Sequence, residues 1–345
     1  LCVGQALSGL IGGYGESVFQ GRAGKTDRFD ALRVVTYFGY KFDERFLFNS
    51  EIEIEHATTQ SSSGTTDEAG EVSVEFAYLD WLVGGEWGLR AGLLLMPVGL
   101  INESHEPTAF LPADRPQTER RILPTTWREN GFGVHGNADG IAWRAYVVTG
   151  LNGAEFSAAG LRDGRQGGNR AAAEDIAAVL RIDWIDRPGL VLGGSLYRGD
   201  AGQDSQDLPD LTTTISELHG DWQAGSWSLR ALLARADIEE AGSFDAATDE
   251  GLAEELDGQY VELGYDLFRT AWPVAGQALQ PFLRLESIDT QAELPDGVRR
   301  DPAQDDQIVT LGVAWKPIDQ IVVKLGYQDW KAGSDQLDLL FGYVF

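Results

Sequence analysis

From Arg45 to Glu55, large apolar and polar residues alternate: Phe46, Phe48, Ile52 and Ile54 on one parity, Asn49, Glu51, Glu53 and Glu55 on the other. Successive side chains leave a strand on opposite sides, so this period of two predicts a β-strand whose faces meet different surroundings. The pattern recurs. Trp87, Leu89, Ala91, Leu93 and Leu95 oppose Arg90; Ile141, Trp143, Ala145 and Val147 oppose Arg144 and Tyr146; Trp227, Leu229, Ala231 and Leu233 oppose Arg230. Later, Val309, Leu311, Val313 and Trp315 oppose Thr310, Gly312 and Ala314, and Val323, Leu325 and Tyr327 oppose Lys324 and Gln328. In the last ten residues Leu337, Leu339, Phe341 and Tyr343 alternate with Gln336, Asp338, Leu340, Gly342 and Val344. A charge in mid-strand would be ruinous in a dry core but suits a water-filled bore.

Sixteen such segments are expected, at 10–19, 28–42, 45–58, 70–83, 87–96, 131–137, 140–150 and 175–185, then 189–199, 209–223, 227–238, 258–268, 279–290, 307–316, 321–330 and 336–345. Their connections sort by length. One set is tight: Asp43-Glu44, Gly84–Glu86, Ala138-Asp139, Asp186–Pro188, Ala224–Ser226 and Pro317–Gln320, with a longer link at 269–278. The other set is long: 20–27, 59–69, 97–130, 151–174, 200–208, 239–257, 291–306 and 331–335. Short turns at one end and long loops at the other are the mark of a transmembrane antiparallel β-barrel. The expectation is therefore all-β, one barrel domain over 1–345, with sixteen strands and a bore wide enough to conduct. The rival is a secreted soluble β protein such as a lectin or propeller, which has no reason to sort its loops.

Composition agrees. The 42 Gly, 10 Trp, 10 Tyr and 15 Phe suit many short strands with tight turns. Tyr40, Phe42, Trp81, Trp87, Trp184, Trp222, Trp227 and Trp315 fall near turns, where an interfacial girdle belongs. A lone Cys2 excludes internal disulfides, and no run of 18 apolar residues offers a transmembrane helix. No basic segment leads into an apolar one at the start, so the chain is expected to begin after a removed signal peptide. The formal charge of −27 argues against nucleic acid as a partner, since phosphate neutralisation needs clustered Lys and Arg. His56, His105, His135 and His219 lack metal-like spacing, and neither a phosphate-cradling Gly loop nor a nucleophile elbow is present. No enzyme activity, cofactor or metal site is expected.

The stretch Arg90-Ala-Gly-Leu-Leu-Leu-Met-Pro97 is followed by Pro97-Val-Gly-Leu-Ile-Asn-Glu-Ser-His-Glu-Pro-Thr-Ala-Phe110. Arg115-Pro116, Glu119-Arg-Arg121 and Leu123-Pro-Thr-Thr-Trp-Arg-Glu-Asn-Gly131 complete the connection. Over about 45–150, this resembles the phosphate-selective porin O and P family and related bacterial outer-membrane porins. The final strand, ending on Phe345, resembles the closing strand of that group, whose terminal aromatic is read by the insertion machinery. The resemblance implies the bacterial outer membrane, lipid and lipopolysaccharide as surroundings, a homotrimer, and a third loop folded inward to narrow the pore. The chain departs from the family in lacking its dense Arg/Lys ladder.

Loop 97–130 is long for a connection without structure of its own, and such loops are usually functional. Its near-balanced charges, Glu103, Glu106, Asp114, Glu119 and Glu129 beside Arg115, Arg120, Arg121 and Arg128, mark it as the candidate constriction. Either these arginines face the pore and select anions, or they pair with Glu103, Glu106, Asp114 and Glu119; pairing is the expected state. Bases expected to line the lumen are Arg33, Lys41, Arg90, Arg144, Arg181, Arg230, Arg284 and Lys324. Expected lumen acids are Glu51, Glu53, Glu55, Glu75, Glu217, Asp221, Glu262, Asp266 and Glu286. These sets could form opposed walls with a transverse field, or neutralise one another in salt bridges. Loop 239–257, with eight acids and no base, is expected to be solvated surface forming an acidic vestibule rather than a calcium site. The function expected is passive diffusion of small hydrophilic solutes or ions, with weak cation preference and little phosphate specificity. The alternative is a non-conducting barrel that scaffolds or sheathes a partner such as an electron-transfer protein.

Overall fold

The structure, a computed structural model, describes residues 9–59 and 70–345; Cys2 and residues 60–69 of the expected 59–69 connection lie outside them. The strands are β1 Gly9–Arg22, β2 Arg28–Lys41, β3 Phe46–Glu55, β4 Val72–Leu82, β5 Trp87–Leu95, β6 Arg128–Ala138, β7 Ile141–Thr149 and β8 Ile176–Trp184. The second half holds β9 Leu190–Gly199, β10 Thr213–Ala224, β11 Trp227–Ile238, β12 Glu255–Tyr265, β13 Ala278–Glu293, β14 Asp305–Ile318, β15 Ile321–Trp330 and β16 Gln336–Val344. Each pairs antiparallel with its sequence neighbours, and β1 pairs with β16 from Tyr14 opposite Val344 to Arg22 opposite Gln336. The sheet is a closed sixteen-stranded barrel. Closure pairs the strand edges, the condition for spanning a membrane with strands.

The alternation becomes two faces. Leu218, Leu233, Leu263, Leu285, Leu311, Leu339 and Phe341 are exposed outward, while Glu217, Glu262, Arg284, Glu286, Lys324 and Asp338 are buried inward. Of the expected girdle, Phe42, Trp81, Trp87, Trp184, Trp227 and Trp315 expose their rings beside the short turns. Tyr40 and Trp222 are half-buried.

Two expectations need correction. The twelfth strand runs Glu255–Tyr265 rather than 258–268, because the Asp266 carboxylate accepts from the Phe268 amide and starts a short helix, Leu267–Thr270. Asp266 is thus a cap at the short-turn end and not a lumen acid. Loop 239–257 is not simply solvated. It contains a helix, Ala241–Thr248, whose Phe244 is completely buried, as are Leu252 and Ala253 beyond it.

Nor is the bore simply water-filled. Met96, Val98, Ile122, Leu123 and Trp127 of the third long loop pack with Leu151, Phe156 and Leu161, Ala201 and Leu211, and Phe244 and Leu252 from three further loops. Tyr146, Val179, Tyr197, Ile215, Leu232 and Tyr260 complete this core from the wall. A smaller cluster sets Ala113, with Leu111 against it, among Val18, Phe282, Ala314, Val322 and Leu340. Glycines on the inner wall seat the loop. A Cβ at Gly342 would meet Pro107 at 2.5 Å, and one at Gly264 would meet Leu111 at 2.5 Å.

Candidate functional site

Backbone carbonyls of the third loop, no longer solvated inside the barrel, need donors. Wall cations supply them. Arg33 donates to the His105 carbonyl at 2.8 Å, Lys316 to Thr108 at 2.9 Å and Arg230 to Ala109 at 3.2 Å. Lys324 donates to Pro112 at 2.8 Å, Arg284 to Asp114 at 3.1 Å, and Arg181 to Gly99. These donors come from β2, β8, β11, β13, β14 and β15, so the segment from His105 to Asp114 bridges the bore. An inward-folded third loop was implied by resemblance; six clamps hold it.

The loop's own carboxylates find backbone amides within the loop and side chains on the wall. The Glu119 carboxylate accepts from the Leu100 and Ile101 amides, at 2.9 and 2.7 Å, and from the Tyr260 hydroxyl at 2.6 Å. Asp114 accepts from Gln328 and Gln336, Glu103 pairs with Arg144 at 3.1 Å, and Arg128 pairs with Glu75 at 2.7 Å. The internal pairing expected of Arg115, Arg120, Arg121 and Arg128 with the loop's own acids is therefore not formed. Arg121 turns to Thr290 and Gln304, Arg120 is exposed, and Arg115 faces a cavity with no carboxylate within ion-pair distance among the described residues.

Wall charges neutralise neighbours rather than forming opposed walls. Arg33 pairs with Glu16 and Glu53, Arg90 with Asp80, Arg230 with Asp221, and Arg284 with Glu262 and Glu286. Arg181 and Arg144 share Asp183, which also contacts His219, itself 2.8 Å from Glu217. The reason is register: adjacent antiparallel strands place inward residues opposite one another, within side-chain reach. Lys41, at the end of β2, is exposed.

Space remains along β1 to β5. A cavity of about 340 Å³ toward the long loops is lined by Glu16, Arg33, Glu55, Asp114, Arg115 and Arg120. Beside it, one of about 330 Å³ sets Glu53, Glu55, Glu71 and Glu75 opposite Arg128, Arg162 and Arg165. Across the bridge, toward the short turns, a cavity of about 170 Å³ holds Tyr14, Glu51, Phe76, Tyr78, Glu103 and Glu106. A bulge shapes this wall. Glu51 pairs with Phe76 and Ile52 with Val74, so Glu75 is an extra residue, and both Glu75 and Phe76 turn inward. Leu95, expected on the lipid face, lines the third cavity. A larger groove of about 740 Å³ lies on the outer face among Leu192, Leu218, Leu233, Val261 and Leu285, where it belongs to the apolar belt.

Sequence reasoning missed Arg162 and Arg165, which brace the third loop from the fourth by donating to the Thr125 and Thr126 carbonyls. Their spacing in a polar loop carries no periodic signal. Tyr14 and Glu16 were also missed, although their inward parity on β1 was available.

His105 is buried in the bridge, its Nδ1 3.0 Å from the Asn102 carbonyl. Burial, with Arg115 and Arg33 nearby, pushes the imidazole well below its ordinary range. The seated loop therefore resists a proton that the released loop accepts. Seating should be unaffected above about pH 6.5 and weaken progressively below it. Trypsin release of the loop should rise on acidification in the parent protein and less so in His105→Gln; identical pH profiles would remove His105 from the explanation.

An uncharacterized protein of Aquifex aeolicus (strain VF5) is 36% identical over 342 residues, covering 94% of this chain and 77% of that protein. No protein-family model matches the chain. Among solved structures, Salmonella typhi OmpF, in complex with daunomycin, aligns with a TM-score of 0.65 at 12% identity, over 98% of this chain and 97% of that one. A loop-deletion mutant of the Vibrio cholerae outer-membrane protein OmpT aligns with a TM-score of 0.62 at 12% identity, over 99% and 100%. A mutant of the Rh. blastica porin aligns with a TM-score of 0.55 at 12% identity, over 98% and 100%. The shared property is the porin-like outer-membrane barrel fold.

Proposed function

The chain belongs to the same family as the uncharacterized Aquifex aeolicus protein, and from that premise we propose that it is a bacterial outer-membrane porin for passive diffusion of small hydrophilic solutes or ions. The observation that carries this reading is the set of cavities on both sides of the bridge along β1 to β5. One barrel domain over 1–345, seated in lipid and lipopolysaccharide with its long loops outward, would form the pore, and three copies would assemble as a homotrimer. A trimer form is on record for the structurally similar Vibrio cholerae OmpT. The constriction would lie between the β1, β3 and β4 wall and the third loop. Arg115, Arg120 and Arg128 would face it from above the bridge and Glu106 from below. Glu103 and Asp114, already engaged, would shape the opening, and Arg121, turned to the wall, would brace the loop.

The bores of open sixteen-stranded barrels are wide, so the filled half predicts a small unit conductance in planar bilayers. A specific observation favours the second reading, a closed scaffold: six clamps and an apolar core of four loops occupy the bore. Absence of stepwise conductance in a folded, heat-modifiable preparation would favour that scaffold.

Weak cation preference follows because the wall arginines are matched by carboxylates while the chain as a whole carries −27. Phosphate specificity, the narrower implication of the family resemblance, would need lumen bases free to meet an anion. Arg121, Arg162, Arg165, Lys316 and Lys324 have no carboxylate partner among the described residues but are taken up by amide and carbonyl oxygens of the protein, which leaves Arg115 and Arg120. A reversal potential of cationic sign is expected in a salt gradient near about 0.1 M, shrinking as salt screens the field. Arg115→Ala should strengthen it. An anion-selective sign in the parent protein would overturn the assignment.

A further inference from the structure

We propose that the cavity beneath the bridge is a binding site for small organic ammonium cations, a deepening that rests on the channel reading above. Glu51 from β3 and Glu106 from the bridge both line it, and neither carboxylate has an ion pair or hydrogen bond among the described residues. The other charges there are spoken for: Arg90 holds Asp80 through two contacts of 2.7 and 3.0 Å, and Glu103 holds Arg144. Two uncompensated carboxylates therefore face a small enclosed space.

An independent observation points to a missing ligand. The Tyr14 hydroxyl is buried against the same cavity, with the residue 6% exposed, and has no hydrogen-bond partner among the described residues. An orphaned buried hydroxyl is unfavourable unless something fills its place. A primary ammonium donates to it directly; a methylated one packs against it.

The walls choose the class of cation. Phe76 and Tyr78, with ring centroids 5.3 Å apart, line the cavity with Tyr14. The site already shows its taste for cations over rings, since the Arg90 guanidinium lies 4.0 Å from the Tyr78 centroid. Aromatic faces attract alkylammonium groups through their quadrupole. A hard metal ion instead wants six or more oxygens, and no metal-holding group occurs among the described residues. The volume of about 170 Å³ is below the 300–1,000 Å³ of drug-sized pockets, which limits the ligand to a small amine.

Choline is the probe. Calorimetric titration of the detergent-folded barrel at fixed ionic strength should give saturable binding that sodium chloride does not reproduce. Glu51→Gln and Glu106→Gln should each weaken it about tenfold, the loss of one charge contact in a partly desolvated site. Tyr14→Phe should weaken binding of methylammonium more than that of choline. Because Glu106 lies on the loop, heat-shifted gel mobility will show that its variant still folds. No saturable choline binding, or binding unchanged in folded Glu106→Gln, would overturn the site. Binding without conductance would sink the channel reading and leave the site standing; conductance without binding would do the reverse.

Discussion

Removing residues 105–115, with a Gly-Ser linker rejoining Ser104 to Pro116, is expected to raise unit conductance by roughly fivefold, toward that of an open sixteen-stranded pore. The segment contains the carbonyls clamped by Arg33, Lys316, Arg230, Lys324 and Arg284, and it also carries the Pro107 and Leu111 contacts on Gly342 and Gly264. Without it, these cations lose an acceptor but keep water in the opened bore, so the barrel should persist. The apolar core around Trp127 and Phe244 stays, which is why the increase stops short of an empty barrel. Planar-bilayer recordings decide it. Unchanged conductance in a folded variant would mean that the bridge does not limit flow.

Glu119→Ala should release the third loop from its anchor, at a cost of about 3 kcal/mol for a fully buried carboxylate with three donors. The Leu100 and Ile101 amides and the Tyr260 hydroxyl would be left without an acceptor. Burial raises the Glu119 pKa, while the Tyr260 hydroxyl and the Ile101 amide restrain that rise. Glu119→Gln keeps an acceptor and should cost only about 1 kcal/mol. Trypsin cleavage after Arg120 and Arg121 reports the change. Equal protection of the parent and Glu119→Ala would show that the apolar packing alone holds the loop.

Alternation in Arg45–Glu55 and in the closing strand placed Glu51, Glu53 and Asp338 inward, and the structure keeps them there. The period-two rule is local, so it survives translation into the barrel with little loss. It failed at the β4 bulge, where Glu75 and Phe76 both turn inward. It also failed at Leu95, where β5 leaves the regular sheet for the loop. The loops resisted prediction for a different reason. Glu103, Asp114 and Arg128 looked able to satisfy one another within one segment, but their partners Arg144, Gln328 and Glu75 lie on other strands.

The sequence by itself determined the number of strands, their parity, the sorting of short turns from long loops, and closure as the only state that satisfies every edge. These follow from alternation and turn chemistry, which act over a few residues. Only the tertiary structure decided how much of the bore is filled and which charges are left over. Clamps such as that from Lys324 to Pro112 join residues 212 apart in the chain. Such pairing depends on strand register and loop depth across the whole barrel, so Glu51, Glu106 and Arg115 stand unpaired among the described residues for reasons no local pattern records.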